Sequence, residues 1–456
     1  MSAPPGAVLS ERSFLVMGAG VTGRAVIEAL TRRNLDVVVA DDRPAPEAVA
    51  LCERLGVELA DAPDADRLRS LLGGVDALLP APGLPDRHPA MLLSAELGVP
   101  VLGELDLAAA WDGRPIAAVT GTNGKTTVTT LVADMLEAGG VPTALAGNTD
   151  VPLVAAIDDP RPEVFVVEAS SFRLGHSRHV APKVGAWLNF APDHLDVHAS
   201  IEAYEAAKAR IWAQQDPSQV AVANLGDPVV RRHATGPARV RGYVDHDPGV
   251  EGYAGSPDAF VRGRELVVDD EVLLGAGDLW SALAHDRGNV LAATLVATAA
   301  GASRAAAAEA ARAFGGLAHR VQLVARADGV RWYDDSKATA PHATASAVRS
   351  FDSVVLIAGG RNKGLDLAVL GELRTHVRAV VGIGEAAFDV VDAFEGAPTV
   401  VATSMRDAVT AAAAAALPGD VVLLSPGCAS FDWYRSYAER GDDFTREVRR
   451  RLGDMP

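Results

Sequence analysis

Two cysteines in 456 residues, Cys52 and Cys428, exclude a disulfide framework and fit a reducing compartment. Basic side chains are also short: 42 Lys and Arg against 59 Asp and Glu give a net charge of −17. That balance argues against general nucleic-acid or anionic-membrane binding, so an anionic substrate would need local positive focusing. No uninterrupted apolar run is long enough to span a bilayer. The start, Met-Ser-Ala-Pro-Pro-Gly, lacks the basic-then-apolar layout of a secretion signal. No repeat of solenoid period occurs. The expectation is a soluble, cytoplasmic protein, with no nucleic-acid or membrane partner. Its 49% apolar content is enough for the cores of two to four domains.

What is present is concentrated in one short run. Residues 119–127 read Val-Thr-Gly-Thr-Asn-Gly-Lys-Thr-Thr, after the apolar Ile116-Ala-Ala-Val119 and before a helix-like Val128–Ala138. A strand, a glycine turn and a helix N-terminus together aim backbone N–H groups at a phosphate. Gly121, Thr122, Asn123, Gly124, Lys125, Thr126 and Thr127 therefore form a predicted ATP site. Lys125 supplies a charge to the outer phosphates and Thr126 a hydroxyl for Mg²⁺. Val119 stands where the common P-loop has its first glycine.

Three α/β segments separate on pattern, at 1–108, 109–314 and 315–456. The first alternates strand-like Phe14–Met17, Val37–Ala40, Ala77–Pro80 and Val99–Leu102 with helical stretches, as a parallel sheet does. The second adds strand candidates Val164–Val167, Val184–Asn189 and Val220–Ala223, and closes with an Ala-rich helix, Val290–Ala300. The third has Val354–Ala358, Ala379–Ile383, Thr399–Ala402 and Val421–Leu424. The Ala-rich tracts 290–313 and 408–416 are read as packed helices.

Other motifs follow strands. Gly18-Ala-Gly-Val-Thr-Gly23, with Asp41 some twenty residues on, fits a structural turn, an NAD site or another nucleotide site. Glu168 ends an apolar strand beside the P-loop, where a carboxylate suits Mg²⁺. His194 lies between Asp193 and Asp196, an arrangement suited to a metal or a phosphate. Ser200 is a helix cap, and Ile201, Tyr204, Lys208, Ile211 and Trp212 share one helical face. A lysine there either snorkels to the rim or sits desolvated with a lowered pKa, able to react with CO₂. Helix geometry by itself favours snorkelling. His319-Arg320, Asp334-Asp335-Ser-Lys337-Ala-Thr339, the loop with Lys363, and Ser425-Pro-Gly-Cys-Ala-Ser430 read as anion-binding loops. Cys428 is read as a small packed residue.

Taken in order, Gly121-Thr-Asn-Gly-Lys-Thr126, Glu168-Ala-Ser170-Ser-Phe172, Asp193-His-Leu-Asp196, Tyr204-Glu-Ala-Ala-Lys208, Asp335-Ser-Lys-Ala-Thr339 and Ser425-Pro-Gly-Cys-Ala-Ser430 resemble the Mur ligases over about residues 13–445. The resemblance implies three domains: a Rossmann-like N-terminal domain, a P-loop ATPase centre and a Rossmann-like C-terminal domain. It implies an ATP-dependent ligase acting as a monomer, and the glycine motif, the short first domain and the Asp-Ser-Lys-Ala-Thr form favour, over the sister ligases, the member that adds D-glutamate to UDP-N-acetylmuramoyl-L-alanine. Residue by residue, it implies that Lys125 holds phosphates, that Thr126 and Glu168 hold one Mg²⁺, and that His194 and a carbamylated Lys208 hold a second. Asn289, Arg320 and Asp335 match the surroundings of the nucleotide. Val21, Thr22, Asp41, Arg43 and Gly83 match a uridine site, Asn148 and Ser170 the region of the acceptor, and Lys337, Thr339, Lys363, Ser430 and Tyr437 the amino-acid pocket. Asp150, Asp286, Ala81 and Tyr437 depart from the family's usual glycine, asparagine, serine and phenylalanine. A sister ligase, a regulatory ATPase and a nicotinamide dehydrogenase stand as rival readings.

Overall fold

Buried runs of Val, Leu, Ile and Ala build three sheets, and where each strand ends decides where the polar loops gather. The computed structural model describes residues 10–195, 197–248, 257–281 and 283–453, so Asp196 lies outside the described residues. The chain divides into two units, Met1–Phe314 and Gly315–Pro456.

The first unit holds two sheets. Strands β1 (Ser13–Met17), β2 (Asp36–Asp41), β3 (Glu58–Asp61) and β4 (Ala77–Pro80) form a parallel sheet in the order β3-β2-β1-β4. The expected strand Val99–Leu102 is reduced to a single bridge between Val101 and Leu78. Pro100 has no N–H to extend that ladder. β3 escaped notice because Glu-Leu-Ala-Asp at a sheet edge has little apolar signal.

The second sheet contains β5 (Ile116–Thr120), β6 (Thr143–Gly147), β7 (Val164–Glu168), β8 (Val184–Trp187), β9 (Val220–Asn224), β10 (Arg239–Tyr243), β11 (Ala259–Arg262), β12 (Glu265–Val268) and β13 (Glu271–Gly275). Their order is β13-β12-β11-β10-β9-β8-β5-β7-β6. β5, with every residue buried, lies between β7 and β8 and is parallel to both. The C-terminal ends of these three neighbours therefore face one crevice, the usual ligand position in such sheets. The antiparallel edge β11-β12-β13 was not anticipated. Asp269 and Asp270 turn it at φ 52° and 63°, a pair of positive values that Asp tolerates better than most residues.

The Ala-rich helix runs Ala284–Ala300, six residues longer at its start than expected, and a second helix follows at Arg304–Ala313. Both pack on the helix Lys125–Ala138 that follows β5. Residues Val290–Ala293 and Leu295–Ala297 are fully buried, so the alanines are core and not a flexible tract.

The second unit is a six-stranded sheet of β14 (Gln322–Ala327), β15 (Val330–Asp334), β16 (Val354–Gly359), β17 (Val377–Ile383), β18 (Thr399–Val401) and β19 (Val421–Leu424), ordered β14-β15-β19-β16-β17-β18. Only β14 is antiparallel to its neighbour. No helix among the described residues is long and apolar enough to cross a membrane.

The glycine turn after β1 tests the local packing. A Cβ on Gly23 would lie 2.0 Å from the Gly18 carbonyl oxygen. Gly23→Ala must push the helix Val21–Arg32 away from β1, and overpacking of this kind costs about 1–3 kcal/mol. Denaturant unfolding should show that loss; an unchanged midpoint would contradict the turn geometry.

Candidate active site

The centre of the first unit's site is the carbonyl of Gly121. Gly124, at φ 83°, turns the chain into the helix Lys125–Ala138. Lys125 Nζ bends back over this turn and donates to the carbonyls of Gly121 at 2.9 Å and Thr122 at 3.0 Å. Lys208 Nζ donates to the same Gly121 carbonyl at 2.8 Å. Two lysine side chains thus converge on one glycine of the turn.

Lys208 is only 1% exposed, which overturns the snorkelling expectation. Ser200 does cap its helix, Ile201–Ala213, by accepting from the Ala203 N–H. Tyr204, Ile211 and Trp212 are buried with Lys208, whereas Ile201 is 37% exposed and lies off that face. Packing against the sheet closes the route to the rim. Burial first, and the Lys125 charge second, hold the Lys208 amine well below the usual lysine range, against the pull of Asp193. Its nitrogen also lies 4.6 Å from the centre of the Tyr204 ring.

Glu168 ends β7 at 4% exposure and is gripped on both oxygens. Thr126 Oγ1 donates to Oε2 at 2.7 Å, and Asn148 Nδ2 to Oε1 at 3.0 Å. A hydroxyl and a carboxylate oxygen side by side are hard oxygen donors, the kind Mg²⁺ prefers. Asn148 is exposed and Asp150 beside it is exposed as well. Ser170 caps the helix Ser171–His176 by accepting from the Arg173 N–H.

The loop after β8 is stitched to the glycine turn. Asn123 N–H donates to Asn189 Oδ1 at 2.8 Å, and Asn189 Nδ2 returns a bond to the Asn123 carbonyl at 3.2 Å. Thr122 Oγ1 bonds the Tyr204 hydroxyl and accepts from the Ala191 N–H. His194 follows with φ 56°, a left-handed conformation costing on the order of 1–3 kcal/mol for a non-glycine residue. Its ring packs edge-on to Phe172 at 4.7 Å and its Nε2 is 3.3 Å from Asp193. Asn289 closes the turn from the helix Ala284–Ala300: its Oδ1 would stand 2.7 Å from any Cβ at Gly124. Thr127 is buried beneath. Among the described residues no group of three or more His, Cys, Asp and Glu side chains forms a metal cluster.

Around the first glycine motif, Val21, Arg43 and Gly83 are exposed. Asp41 accepts from the Ala19 and Arg43 N–H groups at 2.7 and 2.8 Å, so its carboxylate braces the turn. Thr22 is buried and accepts from Arg173 Nη2 at 3.0 Å. Arg173 pairs in turn with the buried Glu104, whose carboxyl is pushed up by burial against the pull of that arginine. No motif marked Arg173 or Glu104; both were hidden within helical segments.

In the second unit, Asp335 follows β15 and accepts from Ser425 Oγ at 2.7 Å and the Val321 N–H at 3.3 Å. Arg320 adds a weaker favourable field. Lys337 Nζ stands 3.9 Å from the centre of the Tyr437 ring, and His319 lies edge-on to that ring while bonding Asp334 at 2.6 Å. Ser430 is buried, Thr339 half-buried and Lys363 exposed. Arg440, 1% exposed, was missed: it donates to Ser336 Oγ and to the Ser336 and Cys428 carbonyls, joining the two loops. Cys428 is buried as expected, its thiol pushed up to about 12 by desolvation.

Burial pushes the Asp335 carboxyl up to about 7. A raised acid contributes stability that is present below its unfolded pKa, about 4, and is lost as pH rises through the folded value. Asp335→Asn removes that loss. Its thermal midpoint should gain on the native chain between about pH 4 and pH 8; a native chain that gains on the variant instead would contradict the burial.

Comparison with known proteins places this geometry. Residues 12–103 match the family model "Mur ligase MurD-like, N-terminal domain", 119–246 "Mur ligase middle domain" and 319–428 "Mur ligase, glutamate ligase domain". The chain is 41% identical to UDP-N-acetylmuramoylalanine--D-glutamate ligase of Frankia casuarinae, covering 96% of this chain and 94% of that one. The enzyme of the same name from Pelotomaculum thermopropionicum is 38% identical over 96% and 98% of the two chains. Among solved structures, a pseudomurein peptide ligase type C from Methanothermus fervidus superposes with TM-score 0.59 at 17% identity, over 97% and 100% of the chains. MurF ligase from Thermotoga maritima, in complex with ADP, gives 0.56 at 17%, over 97% and 96%. These two support the fold alone. The identities over nearly the whole chain establish that it belongs to the Mur ligase family, among the UDP-N-acetylmuramoylalanine--D-glutamate ligases.

Proposed function

We propose that the chain joins D-glutamate to UDP-N-acetylmuramoyl-L-alanine at the expense of ATP, in cytoplasmic synthesis of peptidoglycan precursors and as a monomer. The observation that carries this reading is the full-length 41% identity to a ligase of that name. Residues 1–108 would bind the UDP-linked acceptor, 109–314 ATP, and 315–456 the amino acid. Val21, Thr22, Asp41, Arg43 and Gly83 would line the uridine side, and Asn148 and Ser170 the acceptor nearer Glu168. Asn289 would complete the nucleotide site within 109–314, and Lys337, Thr339, Lys363, Ser430 and Tyr437 would form the glutamate pocket within 315–456.

The acceptor's alanine carboxylate attacks the γ-phosphorus of ATP, and ADP leaves. The glutamate amine then attacks the acyl carbon of the resulting acyl phosphate; phosphate departs and the nitrogen gives up a proton. The first attack sets an anion against a polyanion. At about 4 Å and an effective dielectric of about 20, like unit charges repel by about 4 kcal/mol. Lys125 offsets part of that repulsion, and the backbone N–H groups of Gly121–Thr126 orient the phosphates.

Mg²⁺ would neutralise charge on the transferring phosphoryl group. Thr126 and Glu168, oxygen to oxygen at 2.7 Å, suit one such ion. His194 and Lys208 would hold a second, once the neutral Lys208 amine adds CO₂ to form a carbamate and release a proton. The depressed pKa of Lys208 supports this chemistry, because only the unprotonated amine is a nucleophile.

Two measurements test the reading. Phosphate release from ATP with UDP-N-acetylmuramoyl-L-alanine should depend on D-glutamate and not on L-glutamate, L-lysine, meso-diaminopimelate or L-alanine; dependence on another member of that panel would assign a sister ligase, and dependence on none a non-ligating ATPase. Lys208→Ala should lower turnover by about 100-fold or more, the scale of removing a charge aimed at a transition state, with partial recovery on adding short carboxylates. Native turnover in that variant would remove Lys208 from the mechanism.

A further inference from the structure

His198 lies four residues beyond His194 and is 4% exposed. Its Nε2 is 2.9 Å from Ser171 Oγ, at the start of the helix that follows Glu168-Ala-Ser170. Its Nδ1 faces Asp86 Oδ2 at 3.7 Å. Asp86 belongs to the loop that follows β4 and contains Gly83, and it is bound to the same segment twice more. Its N–H donates to the Val197 carbonyl at 3.1 Å, and its carboxylate accepts from the Ala199 N–H at 3.1 Å. The His198 N–H donates to the His194 carbonyl at 3.0 Å, closing the turn that holds His194 at φ 56°. Around the ring, Phe172 stacks at 5.5 Å and also packs against His194, while Tyr204 lies at 5.3 Å and reaches Thr122 and Lys208.

One buried imidazole therefore touches three pieces: the Gly83 loop of the first sheet, the helix next to Glu168, and the strained turn of His194. A buried imidazole needs partners for both nitrogens, and here they come from two separate elements, Ser171 on one and Asp86 on the other. We propose that His198 is a positioning residue for the ligase reaction: gripped between Asp86 and Ser171, it holds the Asp193–His194 turn beside the nucleotide loop and couples that turn to the acceptor side of the first sheet. This rests on the ligase reading above.

The test uses the whole chain with His198→Phe, which keeps a stacking ring but loses both polar partners, and Asp86→Asn, at a half-exposed position. Mn²⁺ affinity in the presence of ADP, followed by electron paramagnetic resonance, should weaken about tenfold in His198→Phe, the scale seen when groups behind a metal ligand are removed. The KM for the UDP-linked acceptor should rise while the KM for ATP stays within about twofold. Asp86→Asn should move both readouts in the same direction, and the double variant should add less than the sum of the two. If His198→Phe does not fold, Asp86→Asn and Ser171→Ala carry the same expectations. Native Mn²⁺ affinity and native acceptor KM in folded variants would overturn the proposal. A native chain that releases no phosphate in response to D-glutamate would instead overturn the ligase reading, since Mn²⁺ affinity is measured without turnover.

Discussion

The whole site depends on the Gly121 carbonyl, which accepts from two lysines that approach from different elements. Lys125 comes from the helix the turn itself begins, and Lys208 from the helix Ile201–Ala213. Bringing two cations together in a buried place is unfavourable unless one of them gives up its charge. Lys208, with almost no contact with solvent, is the one whose charged form is pushed down. A lysine whose charged form is disfavoured in this way, beside the glycine turn, is more readily the free, nucleophilic amine.

Sheet topology makes this convergence possible. β5 has β7 and β8 as parallel neighbours, so the turn after β5, Glu168 at the end of β7 and the loop after β8 arise on one edge without any long connection. The loop after β8 is then fixed by the reciprocal Asn123–Asn189 pair and by Thr122. Thr126 and Asn148 hold the two Glu168 oxygens from opposite sides, which keeps a carboxylate at 4% exposure hydrogen-bonded and oriented.

Much of the fold was legible because the central strands are uninterrupted apolar runs between glycine turns. Ile116–Thr120 and Val421–Leu424 are wholly buried, and such strands cannot be mistaken for surface segments. What escaped was polar or local. Glu58–Asp61 pairs at an edge, where burial asks little of the side chains. The antiparallel β11-β12-β13 edge had only Gly263 and the Asp269-Asp270 turn to announce it. Within the site, the motif residues drew attention, but their supports did not: Arg173, Glu104, His198 and Arg440 are buried polar groups whose roles exist only through partners distant in sequence. Lys208 shows the same limit, since helix periodicity put it on the apolar face but could not tell a rim from a sealed interior.

The most direct measurement of the central claim is ¹³C NMR of the full chain equilibrated with ¹³C-labelled bicarbonate at mildly alkaline pH. A buried Lys208 whose charged form is disfavoured predicts a carbamate carbonyl resonance that is present in the native protein and absent from Lys208→Arg. A native spectrum with no such resonance, or one that persists unchanged in Lys208→Arg, would contradict the account.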